Sequence, residues 1–462
     1  MKNYIELIDQ YKDDMLKDLS DLIAIKSVAE ECEGPYPFGE GVHKAFEAML
    51  AMGTRDGFTT KNVDNYGGHI EFKGEGDGIF ALLGHLDIVP EGNNWNTDPY
   101  EATIIDNKIY GRGAIDDKGP TIVAYYAMKA LKEAGFKPRK DIRLILGLDE
   151  ETNWDGMKYY MQKEETPDMG FAPDADFPVI HCEKGLIIFD LIKKLASAEK
   201  TGLHIESLNA GTASNMVADR AELVISGGDI SDVIAQYSKD HPDYDITCTP
   251  SDNGCIVVAK GIAAHGAMPE EGLNAISILC EALAPVVFDN EDVNAFIKFY
   301  NETIGFDFNG QRFGCGFSDE PSGKLNFNVG VLKIDQDEIR LTINIRYPAT
   351  LKEDDIYNGI ETINRGYEIE RVDHLNPLYV PKDHELVEVL MDVYGEFTGD
   401  RESKPLVIGG ATYARTVPNC VAFGPVFPHE ASVEHQPNEF FNIDSMIKSA
   451  KMYAEAIYRL CK

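Results

Sequence analysis

A chain of 462 residues is longer than one compact core usually sustains, so we expect two domains. Its formal net charge of −35 repels the phosphates of nucleic acids and anionic lipid headgroups, which argues against a nucleic-acid partner. No segment approaches the ~20 consecutive apolar residues that cross a bilayer, and we expect no membrane partner.

The cysteines and the N-terminal residues bear on the compartment. The 8 cysteines are scattered without a C-x-x-C pair, which is typical of reduced thiols in a large intracellular protein. The first residues have neither the basic start nor the continuous apolar stretch of an export signal. We therefore expect a cytoplasmic location.

The first part of the chain has the pattern of an α/β domain. Apolar residues recur at a helical period over residues 4–25, which predicts an opening amphipathic helix. Ile79–Leu83 and Ile142–Leu148 are apolar runs of strand length, and Thr121–Leu131 between them is predicted to be a helix. A strand, helix, strand order implies parallel neighbours in a sheet.

The middle of the chain differs from the part before it. Between about Gly185 and Asp373, runs that alternate apolar with polar residues predict several strands, with a helix near Leu273–Leu283. Beyond this part, Glu385–Phe397 and Ser445–Leu460 are predicted helices that flank an apolar strand, Cys420–Phe423. The first domain is therefore expected to resume after an insertion.

These patterns predict an α/β protein of two domains. Residues 1–184 and 374–462 would form a mixed, largely parallel sheet flanked by helices. Residues 185–373 would form an inserted α+β domain. Since open α/β sheets carry their sites at the carboxyl ends of the strands, the polar residues after each strand are the candidates for chemistry.

The first candidates follow the first apolar strand. His85 and Asp87 are two residues apart, so their side chains project to the same side of an extended chain. The imidazole of His85 could bind a metal ion, with Asp87 accepting its other ring N–H. A histidine at a strand end is more often merely hydrogen-bonded, so this pair alone predicts little.

Two acidic segments strengthen the case. Asp116 and Asp117 lie in a glycine-rich turn before a helix, where an aspartate usually caps the helix but where a carboxylate could also bridge two cations. Asp149, Glu150 and Glu151 adjoin after a strand and repel one another unless protons or cations intervene, although a solvated acidic loop is the alternative. In a real site, one glutamate would bind metal while the other transfers protons.

The later candidates are Asp174 with Asp176, and His435 beside an acid. Taken singly, they are more often solvated polar residues than ligands. Taken together, five residues offer imidazole nitrogen and carboxylate oxygen in a set suited to zinc, cobalt or manganese. They are His85, Asp116, Glu151, Asp174 and His435.

These segments resemble the co-catalytic metallopeptidases, the family that includes aminoacylase, carnosinase, glutamate carboxypeptidase, succinyl-diaminopimelate desuccinylase and the bacterial dipeptidase V. The resemblance covers the whole chain, and the long chain is most similar to dipeptidase V. The segments that carry it are Gly84–Pro90 (GHLDIVP), Gly111–Gly119 (GRGAIDDKG), Asp149–Glu151 (DEE), Pro173–Pro178 (PDADFP), Ala264–Pro269 (AHGAMP) and Glu434–Phe440 (EHQPNEF).

The resemblance implies two divalent metal ions, with zinc expected first and manganese or cobalt as alternatives. His85 and Asp174 would bind one ion, Glu151 and His435 the other, and Asp116 would bridge them. The family's spacing favours Asp116 over its neighbour Asp117 as the bridge, with a one-residue ambiguity. It likewise favours Asp174 over Asp176, because the family places its ligand directly after the proline.

The resemblance also implies the remaining roles. Glu150 would be the general base, and Asp87 would orient His85. The domain of residues 185–373 would be a lid whose side chains complete the site, with one glycine of the catalytic domain near the substrate. These further residues are Asn215, His265 and Arg346 of the lid, and Gly410.

The resulting hypothesis is a dipeptidase. A water that bridges the metals and is activated by Glu150 would hydrolyse the amide bond, His265 would stabilise the oxyanion, and Arg346 would hold the free C-terminal carboxylate of a small peptide. The alternative within the enzyme class is an N-acyl amino acid deacylase, such as a desuccinylase. The alternative outside it is a non-catalytic peptide-binding or metal-binding protein, against which the retention of Glu150 argues. The protein is expected to be a monomer or a homodimer.

Overall fold

The computed structural model describes residues 3–30, 32–196 and 201–462, and it divides into two compact units. The first unit contains Met1–Cys182, Leu378–Val407 and Ala411–Lys462, and the second contains Glu183–Pro377 and Ile408–Gly410. Residues 1, 2, 31 and 197–200 belong to the ranges predicted for the two domains but lie outside the described residues. The limits predicted from the sequence, after residues 184 and 373, stay a prediction.

The segment Ile408–Gly410 differs from the expectation. It falls within the range predicted for the catalytic domain, whereas the structure groups it with the second unit. Two hydrogen bonds account for this grouping. The backbone N–H of Lys184 donates to the carbonyl of Ile408 at 3.0 Å, and Arg346 Nη1 donates to the carbonyl of Gly409 at 2.8 Å.

The opening segment forms two helices where the sequence predicts one, because the chain turns tightly at Tyr11. None of the helices within the described ranges is both long and apolar enough to cross a membrane. In chain order the helices are α1 (Tyr4–Gln10), α2 (Lys12–Ile23), α3 (Glu40–Arg55), α4 (Lys118–Glu133), α5 (Asp155–Lys163), α6 (Ser231–Asp240), α7 (Ala275–Ala282), α8 (Glu291–Thr303), α9 (Glu353–Glu361), α10 (Glu385–Thr398) and α11 (Ile443–Cys461).

The strands alternate with these helices in the first unit and dominate the second. In chain order they are β1 (Thr59–Val63), β2 (Gly67–Phe72), β3 (Ile79–His85), β4 (Thr103–Ile105), β5 (Lys108–Tyr110), β6 (Asp141–Gly147), β7 (Met169–Ala172), β8 (Ala175–Asp176), β9 (Ile180–Glu183), β10 (Gly185–Lys194), β11 (His204–Ala210), β12 (Arg220–Ser226), β13 (Asp245–Ser251), β14 (Gly254–Lys260), β15 (Ser318–Asp319), β16 (Gly323–Lys324), β17 (Asn326–Ile334), β18 (Glu338–Tyr347), β19 (Glu368–Leu375), β20 (Leu378–Tyr379), β21 (Leu406–Ile408), β22 (Cys420–Ala422), β23 (Pro425–Val426) and β24 (Phe440–Asn442).

The main sheet of the first unit is mixed, with the order β1-β2-β6-β3-β7-β22-β9-β20 and β21 paired to β9. Its centre is parallel, since β3 pairs in parallel with both β6 and β7, and β7 with β22. The α/β fold predicted from the sequence, with a mixed sheet flanked by helices, is confirmed. The register sets His85 at the end of β3 opposite Gly147 at the end of β6.

Both faces of this sheet pack against hydrophobic clusters, which explains why almost all residues of β3 are apolar. Phe80 and Leu82 point into the large core cluster that contains α1, α2, α4 and α11. Ala81 and Leu83 point the other way, into a smaller cluster beside α5. A strand buried on both faces holds its last residue, His85, rigidly.

The second unit is built on an antiparallel sheet with the order β13-β14-β12-β11-β17-β18-β10-β19. Along β18 the buried and less buried residues alternate from Glu338 to Thr342, as expected where one sheet face packs on a core. Helices α7 and α8 contribute to that core, together with the aromatic residues Phe299, Phe313 and Phe327.

The aromatic cluster beneath the main sheet gives a test of the fold. Phe171 is fully buried, with ring centroids 5.1 Å from Tyr453 and 5.6 Å from Phe423. The Phe171→Ala variant leaves a cavity and should lower the free energy of unfolding by about 3–5 kcal/mol. Both tryptophans, Trp95 and Trp154, lie in the first unit, so their fluorescence during urea denaturation reports on it.

The matched control is Ile104→Ala, in the same unit but 54% exposed. It should change the free energy of unfolding by about 0.5 kcal/mol or less. An equal effect of the two substitutions would contradict the packing described here.

Candidate metal centre

Three adjacent parallel strands end in polar residues at the same edge of the sheet. His85 is the last residue of β3, Glu150 and Glu151 follow β6, and Asp174 follows β7. Because the strands are parallel and neighbours, their carboxyl ends converge. One ligand atom from each of His85, Glu150 and Asp174 lies within 4.8 Å of the others, and the same holds for His85, Asp116 and Glu151.

His85 is 1% exposed, and its two ring nitrogens face different partners. Nδ1 lies 3.0 Å from the backbone carbonyl oxygen of Asp87 and 3.3 Å from Asp87 Oδ1. Both neighbours are acceptors, so Nδ1 carries a ring proton. Nε2 faces Asp116 Oδ1 at 3.0 Å and Asp174 Oδ2 at 3.7 Å. Burial opposes protonation of this ring, but the contacts with Asp116 and Asp87 outweigh it and raise the pKa of His85 well above its ordinary value, so in the absence of metal Nε2 also carries a proton.

Asp116 connects the two histidines. Its Oδ1 lies 3.0 Å from His85 Nε2, and its Oδ2 lies 3.0 Å from His435 Nε2. The same nitrogen of His435 is 3.0 Å from Glu151 Oε1. His435 has a positive φ of 62°, a conformation that is uncommon for residues other than glycine and that concentrates at functional sites.

Asp117, the alternative bridge, points elsewhere. It is fully buried, and its Oδ2 accepts from the backbone N–H of His85 at 3.0 Å and from Thr121 Oγ1 at 2.9 Å. It stands at the N-terminal cap position of α4. Asp117 therefore fastens the end of β3 to α4, while Asp116 faces the histidines.

Asp174 and Asp176 also separate. Asp174 joins the cluster around His85, whereas Asp176 is exposed and is in none of the metal-ligating groups found among the described residues.

Asp87 and Trp154 hold the acidic loop after β6. Asp87 Oδ2 accepts from the backbone N–H of Glu151 at 2.9 Å, and Trp154 Nε1 donates to the carbonyl of Glu150 at 2.6 Å. Asp87 thus contacts both His85 and the loop that carries the glutamates. An orienting role of Asp87 toward His85 stays a prediction.

The protonation behaviour of the carboxyl groups shows how much negative charge is buried here. Burial raises the pKa of Glu150 well above its ordinary value, and burial with the nearby carboxylates raises the pKa of Asp174 to about 7. Burial opposes ionisation of Asp116 too, but its contacts with His435 and His85 outweigh this and lower its pKa. The contacts with Asp116 and Glu151 raise the pKa of His435 to about 10.

These observations test whether a cation fits. Apart from the two histidines, the groups that meet at this site are carboxylates, and only protons or cations can offset the repulsion among them. Imidazole nitrogen with carboxylate oxygen is the ligand set of zinc, manganese and cobalt. The residues present therefore fit a divalent metal.

One buried residue with several hydrogen bonds at this site was not among those predicted from the sequence. Glu439 is fully buried, and its carboxylate accepts from the backbone N–H groups of Ile115 at 2.9 Å and of Asp116 and Gly113 at 3.2 Å each. It also pairs with the buried Arg112 at 2.6 Å. This contact network, the Glu439 clamp, ties the segment of His435 to the turn that presents Asp116.

A signal for the Glu439 clamp was present in the sequence. An arginine and a glutamate, Arg112 and Glu439, occupy two of the signature segments, and opposite charges in two converging motifs suggest a buried pair. The spacing of these residues along the chain does not show that the carboxylate of Glu439 accepts hydrogen bonds from backbone N–H groups.

The remaining predicted residues belong to the second unit. Asn215 is exposed, and its carbonyl accepts from the backbone N–H of Gly266 at 2.7 Å. His265 is also exposed, and its Nδ1 accepts from the N–H of Ala267 at 3.3 Å, which leaves Nε2 to carry the proton. Partial burial and the charge of Arg346 lower the pKa of His265, so the imidazole is neutral near pH 7.

Arg346 is 6% exposed, and asparagines lie on its own strand β18 and on the neighbouring strand β17. Its Nε donates to Asn344 Oδ1 at 3.2 Å, and its Nη1 donates to the carbonyl of Gly409. Asn328, opposite Asn344 in the sheet, donates from Nδ2 to the carbonyls of Ser214 and Met216 at 2.9 Å each. The strand that carries Arg346 is thereby linked to the loop that carries Asn215.

A model of the peptidase family M20/M25/M40 matches residues 81–459. The chain belongs to this family. It is 38% identical over 458 residues to the "Putative dipeptidase YtjP" of Bacillus subtilis, with 98% of each chain covered. It is 36% identical over 464 residues to a protein of the same description from Staphylococcus saprophyticus, again with 98% of each chain covered.

Solved structures show the same fold at low identity. Aminoacylhistidine dipeptidase from Vibrio alginolyticus is 15% identical with a TM-score of 0.59, over 97% of this chain and 96% of that one. Human carnosine dipeptidase 1 is 16% identical with a TM-score of 0.56, over 99% and 98%. The M20 neighbours have a catalytic and a lid domain, and the family is metal-dependent and typically dinuclear. The protein is a metallopeptidase, and the family resemblance read from its sequence is confirmed.

The Glu439 clamp gives a test of how the site is held. Glu439→Gln keeps the shape of the side chain but leaves Arg112 buried without its counter-charge, so the free energy of unfolding should fall by about 3–5 kcal/mol. Because the turn that presents Asp116 loses its anchor, metal affinity should fall about 10–100-fold. Urea denaturation and metal titration of chelator-stripped protein measure the two effects. The control is Glu101→Gln, at an exposed position of the same unit. Equal free energies of unfolding and equal metal affinities in the two variants would contradict a stabilising role of Glu439.

Proposed function

We propose that this M20 peptidase hydrolyses dipeptides that have a free C-terminal carboxylate, using two divalent metal ions. The observation that carries the proposal is the position of Asp116, whose two carboxylate oxygens each lie 3.0 Å from a different histidine nitrogen. A carboxylate in that position suits the bridge of a dinuclear centre. The names of the relatives from Bacillus subtilis and Staphylococcus saprophyticus support a dipeptidase.

The contacts support one division of the ligands. His85 and Asp174, 3.7 Å apart, would hold one ion, and Glu151 and His435, 3.0 Å apart, would hold the other. Asp116 would serve both, since Asp117 is engaged with the backbone of His85. We expect zinc first, with manganese or cobalt as alternatives.

Bound there, the ions would lower the pKa of a water molecule and polarise the scissile carbonyl. Glu150 would take the proton from that water and later deliver it to the leaving amine nitrogen. Its burial supports this role, because a raised pKa brings a carboxyl group closer to the operating pH of a proton carrier. Asp87 would keep the proton of His85 on Nδ1.

The second unit would supply recognition. A neutral His265 with a proton on Nε2 is suited to donate a hydrogen bond to the developing oxyanion. Arg346, buried and oriented by Asn344 and Gly409, offers a guanidinium to the C-terminal carboxylate of the substrate. Asn215 and Gly410 would contact the peptide beside it. The scatter of the 8 cysteines without a C-x-x-C pair supports the cytoplasmic location that we propose. We further propose that the protein is a monomer or a homodimer.

The general base is tested by Glu150→Gln. The variant should bind both metal ions and lose turnover of a dipeptide about 10²–10⁴-fold, because the amide cannot accept the proton. Metal content is measured by elemental analysis after dialysis, and turnover by release of free amino acid. Glu165→Gln, exposed in the same unit, is the control and should keep full activity.

Two results would oppose this assignment. Loss of one metal ion in Glu150→Gln would make Glu150 a ligand, which its position beside His85 and Asp174 permits. Full activity of the wild type after chelation would remove the dinuclear proposal. Restored activity on adding zinc or manganese to the stripped protein is the expected result.

The substrate is tested with Arg346→Ala. Loss of a charge-assisted contact should lower kcat/KM for dipeptides with a free carboxylate about 10–100-fold and leave the amidated dipeptides nearly unchanged. The control is Arg220→Ala, an exposed arginine of the same unit. Equal losses on both substrates would contradict the carboxylate contact, and faster cleavage of N-succinyl or N-acetyl amino acids than of dipeptides would favour the deacylase.

A further inference from the structure

A second group of side chains of metal-ligating type lies within the second unit. Cys248 is on β13 and Cys255 on β14, the two strands of a hairpin, and Asp229 stands two residues before α6. One ligand atom from each lies within 4.8 Å of the other two. Cys255 is buried, Cys248 is partly buried and Asp229 is exposed, so the group is accessible from one side.

The three side chains are held in place by their surroundings. The backbone N–H of Ser231 donates to Asp229 Oδ1 at 2.9 Å, and Ser231 Oγ lies 2.6 Å from the same oxygen and 3.4 Å from Cys248 Sγ. In the hairpin, Cys255 is opposite Pro250 and Cys248 is opposite Val257, so the two sulfur atoms belong to diagonal neighbours. A helix-start contact with Ser231 accounts for Asp229 but leaves the two thiols beside it unexplained.

We propose that Asp229, Cys248 and Cys255 form a structural site for a thiophilic divalent cation of the zinc class. Two thiolates and one carboxylate are ligands that zinc and cadmium accept, and water or the hydroxyl of Ser231 would complete four-fold coordination. The bonds from Ser231 orient the carboxylate as partners of metal ligands usually do.

The packing around the site indicates what a cation would contribute. The strand β13 is at the edge of its sheet, and Ile246 is its only buried residue. The helix α6, which packs on β13, buries only Ile234. With so little apolar contact, a metal that links the start of α6 to both strands of the hairpin would stabilise this corner.

The ligand set makes the site separable from the catalytic centre. The residues proposed to bind the catalytic metals include no cysteine, so thiolate-to-metal charge transfer in the ultraviolet reports the second site alone. The full-length enzyme, loaded with manganese and kept reduced with a phosphine, is titrated with Cd²⁺. We expect a charge-transfer band that saturates at one Cd²⁺ per chain.

Variants assign the band to these residues. Cys248→Ser and Cys255→Ser should each abolish it, and Ser231→Ala should weaken Cd²⁺ binding about 10–100-fold. Cys32→Ser, which removes an exposed thiol of the first unit, is the control and should leave the band unchanged. Because Cys248 is only partly buried, its serine variant keeps the test decisive if Cys255→Ser fails to fold.

Two outcomes would overturn the proposal. One is the absence of a charge-transfer band in the reduced wild type. The other is a band that persists in Cys248→Ser. Dipeptide hydrolysis in manganese should be unchanged in Cys248→Ser, so failure of this proposal leaves the proposed function untouched.

Discussion

Repulsion among buried carboxylates is the constraint on which the first unit depends. Glu150, Glu151 and Asp174 are brought together because β6, β3 and β7 are adjacent and parallel, so that their ends meet. Packed against Asp116, these groups cannot all ionise in a protein interior unless positive charge lies among them. The two histidines supply part of that charge in the absence of metal, and divalent cations would supply the rest.

Rigid support surrounds this charged group. The strand β3 is buried on both faces, Asp117 fixes its last residue to α4, and Asp87 connects that residue to the loop of the glutamates. The Glu439 clamp fixes the turn of Asp116 from the opposite end of the chain. A set of ligands that repel one another needs such support, because without it the segments would separate when no metal is bound.

The second unit follows a different principle. It is built on an antiparallel sheet in which buried and less buried residues alternate along part of β18, and the residues proposed for substrate recognition lie near strand ends and on connecting loops. Arg346, Asn344 and Asn328 lie on the paired strands β17 and β18, and their hydrogen bonds reach the loop of Asn215. The thiol site proposed beside α6 would strengthen the same sheet at its edge strand β13, which buries only Ile246.

The sequence by itself determined the fold class, the main strands and helices, and the family. The period of the apolar residues, the length of the apolar runs and the order of the motifs can all be identified in the sequence without knowledge of the structure. The family's spacing favours Asp116 over Asp117 but leaves an ambiguity of one residue. Only the tertiary structure shows that Asp116 faces the histidines while Asp117 turns to the backbone of His85, because the direction of a side chain in a turn depends on how the turn packs. It alone disclosed the Glu439 clamp and the cluster around Cys255, since both join residues that are distant in sequence or diagonal across a hairpin. Such contacts follow from how strands and turns pack, which the spacing along a chain does not specify.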